Sequence, residues 1–291
     1  IVIIPVFNES GSIGHVLRDI PADLVSEVIV VNNGSTDNTA EIAKGLGATV
    51  LLEERKGYGS ACLKGISYIK QKPVAEQPEI VVFIDGDYSD YPEQMRELVQ
   101  PILSTSFDMV IGSRAKGKRI KGSMAPQQIF GNWLATTLIK LLFGARFSDL
   151  GPFRAITWSA LQSLEMKDTN YGWTVEMQIK AAKKKLRFTE IAVDYRPRIG
   201  VSKITGTVKG TIMAITIIVI YTIAITLLFF YCIMQLSLAI HYIKFKRNLK
   251  KEETIFTIPE SEYPHVTVQL PVFNELYVVE RLIDAIAAFD Y

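Results

Sequence analysis

From Gly210 to Ile243 the chain carries no Lys, Arg, Asp or Glu, and residues 212–240 are dominated by Ile, Leu, Val, Phe, Thr and Ala. No other stretch constrains the fold as strongly. A helix over it would reach about 45 Å, against about 30 Å for the hydrocarbon core of a bilayer, so the segment reads as one tilted membrane span. Gly and Pro are absent between Thr211 and Ile243, which leaves a two-span hairpin without a turn. The competing reading is a buried helix of a soluble core. Either way the chain is divided into a long N-terminal part and a short C-terminal one.

The long part alternates apolar runs with helical patterns. Residues 1–4, 28–31, 49–52, 80–84 and 109–111 are apolar almost throughout, as in strands buried on both faces. Helix starts are expected after Ser10 and Asp37, with Gly47 as a stop, and Asp90 with Glu93 resembles a capping box around Pro92. Such alternation implies an α/β fold with a mostly parallel, helix-covered sheet, whose ligands sit at the carboxyl ends of the strands. Four polar clusters fall there: Pro5–Glu9, Asn32–Asp37, Asp85-Gly86-Asp87 and Gly112-Ser113-Arg114.

Composition narrows the partners. The net charge of +2 on 291 residues gives no reason to expect a nucleic-acid partner. Cys62 and Cys232 are too far apart in sequence to suggest a disulfide framework, which favours a reducing compartment. Ile1 already lies inside an apolar run, so the N-terminus reads as clipped or processed, with no signal peptide before it.

Asp85 and Asp87, one residue apart at a strand end, suit a hard divalent cation, and Gly86 lets a ligand approach the backbone. Lys56-Gly57-Tyr58-Gly59 opens a helix; it reads equally as a phosphate or ribose site at a helix N-terminus and as an ordinary glycine-rich start. Residues 114–121 hold five cations, either a solvated loop or a surface for anionic head groups. The apolar residues of 127–143 read either as core or as a helix at a membrane interface.

In order, Pro5-Val6-Phe7-Asn8-Glu9, Asn33-Gly34-Ser35-Thr36-Asp37, Asp85-Gly86-Asp87 and Gly112-Ser113-Arg114 resemble the inverting family 2 glycosyltransferases of GT-A fold. Gly151-Pro152-Phe153-Arg154 and Tyr195–Lys203 look like their polyprenyl-phosphate branch, the dolichyl-phosphate mannose and glucose synthases. The resemblance implies transfer of a hexose from a nucleotide-diphosphate sugar to a polyprenyl phosphate at the membrane, with the catalytic domain on the cytoplasmic face and Mg2+ or Mn2+ as cofactor. It assigns Pro5, Glu9, Asn33, Asp37, Gly59 and Asp85 to the nucleotide sugar, and Asp85 and Asp87 to the metal. Ser113, Arg114, Arg154, Arg198 and Lys203 fall to the acceptor phosphate, and Asp87, Asp149 and Glu176 are the catalytic candidates. Asn32-Asn33 stands where the family usually has two Asp residues, which leaves the base open. A soluble or polysaccharide acceptor, or an inactive scaffold, is the alternative.

Pro-Val-Phe-Asn-Glu recurs at Pro271–Glu275, and Ile13, Val16, Leu17 and Ile20 return as Val279, Leu282, Ile283 and Ile286 at one offset. The second copy resembles the opening of a cellulose-synthase-like member of the same superfamily. The expected layout is a GT-A domain over 1–210, a membrane helix over 211–243, a basic and polar linker over 244–264, and the truncated start of a second GT-A domain over 265–291.

Overall fold

The computed structural model describes residues 1–104, 107–200, 208–249 and 279–288. The chain divides into two units, Ile1–Thr207 and Val208–Tyr291.

In the first unit the five expected strands form as β1 (Val2–Val6), β2 (Val28–Asn32), β3 (Thr49–Leu52), β4 (Ile80–Phe83) and β5 (Met109–Ser113). Two further strands, β6 (Arg154–Thr157) and β7 (Phe188–Ala192), complete a seven-stranded sheet of order β3-β2-β1-β4-β6-β5-β7. β6 runs antiparallel to both of its neighbours, and every other pairing is parallel.

The unbroken apolar runs follow from this geometry. Successive strand residues point to opposite faces, and both faces are covered. Ile3, Ile29, Val31, Val81, Phe83 and Ile111 enter one core; Val2, Ile4, Val30, Val82 and Val110 enter the other. The first core lies under α3 (Tyr58–Gln71), α6 (Trp158–Leu164) and α7 (Trp173–Lys183), with Phe83 edge-on to Trp173 at 5.9 Å. The second lies under α1 (Ile13–Asp19), α2 (Thr39–Gly45) and α4 (Met95–Leu103). Burial of each large side chain in these layers is worth about 1.5–3 kcal/mol.

Two expected helix starts differ. α1 begins at Ile13 after Ser12, and the backbone N–H of Ser10 donates instead to the Asp37 carboxylate. No capping box forms at Asp90 and Glu93: residues 92–94 make one 3-10 turn after Tyr91, and the Asp90 side chain is buried. Residues 126–143 form α5 (Pro126–Phe143), which ends at Gly144 in the left-handed conformation, φ 70°.

In the second unit, residues 208–249 form one continuous helix, α8 (Val208–Leu249), with no hairpin turn. Tyr221–Arg247 is long and apolar enough to cross a membrane by length and composition, with mean hydropathy 2.2. α9 (Val279–Ala287) begins at the repeat position of Ile13, where α1 begins. Pro271–Glu275 lies outside the described residues, as does most of the expected linker.

Candidate active site

Above the carboxyl ends of β1, β2 and β4 opens a cleft of about 250 Å3. Six of the residues singled out from sequence line it: Pro5, Glu9, Asn33, Asp85, Asp87 and Arg198. Phe7, Lys56, Tyr58 and Tyr171 also line it. Lys56 and Tyr58 have a sequence signal only within the Lys56–Gly59 motif and Phe7 only within Pro5–Glu9, while Tyr171 has none, since an isolated aromatic matches no motif.

The β1 and β2 loops are tied together by side chains. Asp37 accepts hydrogen bonds from the backbone N–H groups of Ser10 and Thr39, each at 3.1 Å, and from the Thr39 hydroxyl. Burial pushes the Asp37 carboxyl up, but these donors outweigh it and hold the group below its usual range. Asn8, at φ 54°, accepts from the Thr36 N–H at 2.8 Å. Asp37 therefore shapes the wall of the cleft without lining it.

Asn33 is spent on the next loop. Its amide donates to the carbonyls of Glu53 and Arg55 at 3.0 and 2.8 Å, and its oxygen accepts from the Gly57 N–H at 2.7 Å. An aspartate has no donor for those carbonyls, which gives a physical reason for an amide here.

Asp85 and Asp87 stand at the cleft floor. Gly86 between them permits this packing, because a Cβ there would lie 2.6 Å from Val6 Cγ1. Asp85 accepts from the Tyr58 hydroxyl at 2.9 Å. Burial first, and then repulsion from Asp87, push its carboxyl up to about 7. Asp87 accepts from the Ser89 N–H and hydroxyl at 2.9 and 2.6 Å through one oxygen. Its other oxygen is 3.4 Å from Arg198 Nη1, and Arg198 Nη2 donates to Glu9 Oε1 at 2.9 Å.

The strand-end carboxylates and the 195–199 segment are thus laced together. The Ile199 N–H donates to the Asp87 carbonyl at 3.0 Å, and the Arg196 guanidinium sits 3.4 Å from the Tyr88 ring centroid and 4.0 Å from that of Tyr91. Lys203, its expected companion, lies outside the described residues.

Two carboxylates at a strand end suit a hard cation, and the repulsion between Asp85 and Asp87 is the kind of strain that a cation relieves. No group of three or more His, Cys, Asp or Glu side chains forms a metal site among the described residues. Two carboxylates fill only part of the coordination of a divalent ion, so the pair fits an open site that takes further oxygens from outside the protein.

The structure does not bring the other candidates to the cleft lining. Asp149 is fully buried and doubly paired with Arg114, Nε to Oδ2 and Nη2 to Oδ1 at 2.7 Å each, and the Arg114 N–H adds a third bond at 2.8 Å. Glu176 accepts from the N–H groups of Lys167 and Asp168 and pairs with Lys180 at 2.8 Å. The Ser113 hydroxyl is buried against that of Ser148 at 2.7 Å. Arg154 is fully buried: β6 registers it against Phe83 and Ile111, so it faces the first core, where its guanidinium donates to the carbonyls of Leu150, Gly151 and Thr174. Burial pulls its pKa down to about 10.

Gly59 is likewise a packing residue. Its N–H donates to the Asn170 carbonyl at 3.1 Å and that of Ser60 to the Thr169 carbonyl at 2.9 Å, so the 168–170 loop already occupies the N-terminus of α3. A Cβ at Gly59 would strike the Asp168 carbonyl. Of the two readings of this helix start, the geometry supports packing.

Comparison with known proteins gives the family and the fold. The family model described as Glycosyl transferase family 2 matches residues 1–163. The chain is 33% identical over 217 residues to an uncharacterized glycosyltransferase of Mycobacterium tuberculosis, covering 74% of this chain and 93% of that one. It is 30% identical over 221 residues to a dolichyl-phosphate hexose transferase of Haloferax volcanii, covering 75% and 91%. Among solved structures, glucosyl-3-phosphoglycerate synthase from Mycobacterium tuberculosis, in complex with Mn2+, UDP-glucose and phosphoglyceric acid, superimposes with TM-score 0.53 at 25% identity, over 69% of this chain and 71% of that one. The fold is GT-A-like.

Proposed function

The chain belongs to glycosyl transferase family 2, and from that premise we propose that it moves a hexose from a nucleotide-diphosphate sugar to a polyprenyl phosphate, inverting the anomeric carbon. One observation carries the reading: Glu9, Asp85, Asp87 and Arg198 line one cleft, with Arg198 between Glu9 and Asp87. Carboxylates for a cation and a guanidinium for a phosphate then lie side by side. The dolichyl-phosphate hexose transferase relative favours a lipid phosphate as acceptor.

The nucleotide end of the donor occupies the part of the cleft framed by Pro5, Glu9 and Asn33, with Asp37 holding the two loops in register. Asp85 and Asp87 would hold a Mg2+ or Mn2+ ion, which would supply charge neutralisation to the departing diphosphate. Arg198 exchanges its carboxylate partners for the acceptor phosphate, and the resemblance assigns Lys203 to the same phosphate. The phosphate oxygen attacks the anomeric carbon as the bond to the diphosphate oxygen breaks. A phosphate monoester has its second pKa at about 6, so the attacking oxygen is already ionised near neutrality and no protein base is required. Asp149 and Glu176 act as positioning residues, and most of the rate comes from placement and charge compensation.

Residues 1–210 make up the transferase domain in this reading, 211–243 the membrane helix, and 265–291 the opening of a second GT-A unit. The transferase faces the cytoplasm, where sugar nucleotides are supplied. The test is incubation of the full chain with a panel of radiolabelled nucleotide sugars and a short polyprenyl phosphate, with and without Mn2+. A labelled product extractable into organic solvent is expected from one donor. Label transferred only to a water-soluble acceptor, or to none, would overturn the lipid-acceptor reading.

A further inference from the structure

Between Asp108 and Asp149 the chain has no Asp or Glu, yet it has seven Lys and Arg. Arg114 and Lys116 are committed to Asp149 and Glu190. The other five, Lys118, Arg119, Lys121, Lys140 and Arg146, are exposed and make no ion pair among the described residues. Lys140 lies on α5 and the other four flank it; the apolar side chains of this helix are distributed the wrong way round for a helix of a soluble domain. Its inward side holds Thr136 and Ile139, whereas Phe130, Trp133, Leu134, Leu138 and Leu141 stand in solvent at helical spacing, Trp133 58% and Leu141 74% exposed. At the far end Lys183 of α7 lies 5.2 Å over the Phe143 ring, adding a further cation to the rim.

An exposed apolar stripe of this size marks an interaction surface, and its rim is cationic with no acidic residue on α5 or on the loop before it. An acidic protein groove and an anionic bilayer both complement that pattern. The same chain carries a helix of membrane-spanning length and composition, which favours the bilayer. We propose that α5 docks the catalytic domain onto an anionic membrane surface, with its aromatic and leucine side chains at the level of the head groups and Lys118, Arg119 and Lys121 against lipid phosphates. The inference goes beyond the transfer reaction, since it holds whether the acceptor is lipid or soluble.

The test uses a built-in reporter. Of the three tryptophans, Trp158 and Trp173 are buried and only Trp133 is exposed. The full chain is reconstituted into phosphatidylcholine vesicles lacking polyprenyl phosphate, with or without an anionic phospholipid. Some of the lipids are brominated near the head-group end of the acyl chain. Emission quenched by bromolipid and protected from aqueous iodide is expected, more strongly with the anionic lipid, and lost in Trp133→Phe. Replacing Lys118, Arg119 and Lys121 by Gln is expected to weaken the anionic-lipid effect by about fivefold per cation.

Iodide quenching unchanged by vesicles that hold the chain through α8 would overturn the proposal. So would protection from iodide without bromolipid quenching, which would mean that protein covers the stripe. Quenching independent of lipid charge would remove the cationic rim from it and overturn it as stated. Since no lipid acceptor is present, failure here is distinct from failure of the transfer assay.

Discussion

Arg198 and Glu9, 189 residues apart in sequence, meet at 2.9 Å across the mouth of the cleft, and the same guanidinium reaches toward Asp87. A positive group thus stands beside one of the two carboxylates offered to a cation. Arg198→Ala removes that competitor. Mn2+ affinity measured by calorimetry without nucleotide is expected to rise by roughly tenfold, about 1.4 kcal/mol, while transfer falls. Weaker Mn2+ binding in the variant would show that Arg198 supports the carboxylates instead of competing for them.

Asp85 gives a pH-dependent stability. Its folded pKa, about 7, lies above the ordinary carboxylate value of 3.8. The group therefore imposes no penalty below pH 3.8, an increasing one between the two values, and a constant one above pH 7. Asp85→Asn is expected to raise the melting temperature of the metal-free protein at pH 8 and to leave it unchanged near pH 4. Because the side chain is only half-buried, the gain is on the order of 1–2 kcal/mol once screening is allowed for. An equal gain at both pH values would remove titration as the cause.

Asp149 and Glu176 separate structure from catalysis. Asp149→Asn leaves the buried Arg114 guanidinium without its carboxylate and is expected to cost about 3–5 kcal/mol of stability. Glu176→Gln loosens the 167–168 loop and is expected to lower transfer no more than severalfold. A folded Glu176→Gln enzyme that binds donor normally but has lost turnover by orders of magnitude would make Glu176 a base.

Gly59→Ala tests the start of α3. The methyl group meets the Asp168 carbonyl, so unfolding at lower denaturant is expected, with the nucleotide affinity of the folded fraction unchanged. A large affinity loss without destabilisation would return this helix end to the donor site.

The strands were legible because burial on both faces leaves an unbroken apolar run, and the cleft was legible because parallel strands present their polar ends together. Asp85, Asp87, Glu9 and Asn33 lie in loops directly after such strands, so strand direction alone brings them together. Arg154 and Ser113 were not legible in this way. Each lies within a strand, where register decides whether a side chain meets the cleft or the core, and the register of β6 depends on pairing with β4 and β5 from far along the chain. For a related reason the sequence alone does not sort Asp149 and Gly59: a carboxylate bound to arginine and a glycine under a distant loop have the same sequence signature as a base and a phosphate loop. Tyr58 was visible only as part of its glycine motif, since its hydroxyl gains meaning from Asp85, which arrives from another strand end.

The antiparallel strand β6 has a consequence for how the molecule is made. β4 and β5 follow one another in the chain but do not pair; each waits for β6, which is synthesised only after the whole of α5. Until then a nascent chain holds one unpaired edge of β4, both edges of β5, whose other partner β7 comes later still, and a leucine-rich helix together, a combination prone to aggregation. Closure of the sheet is therefore a late, non-local folding event of high contact order, and a chain cut short anywhere before Thr157 lacks the strand that joins its two halves.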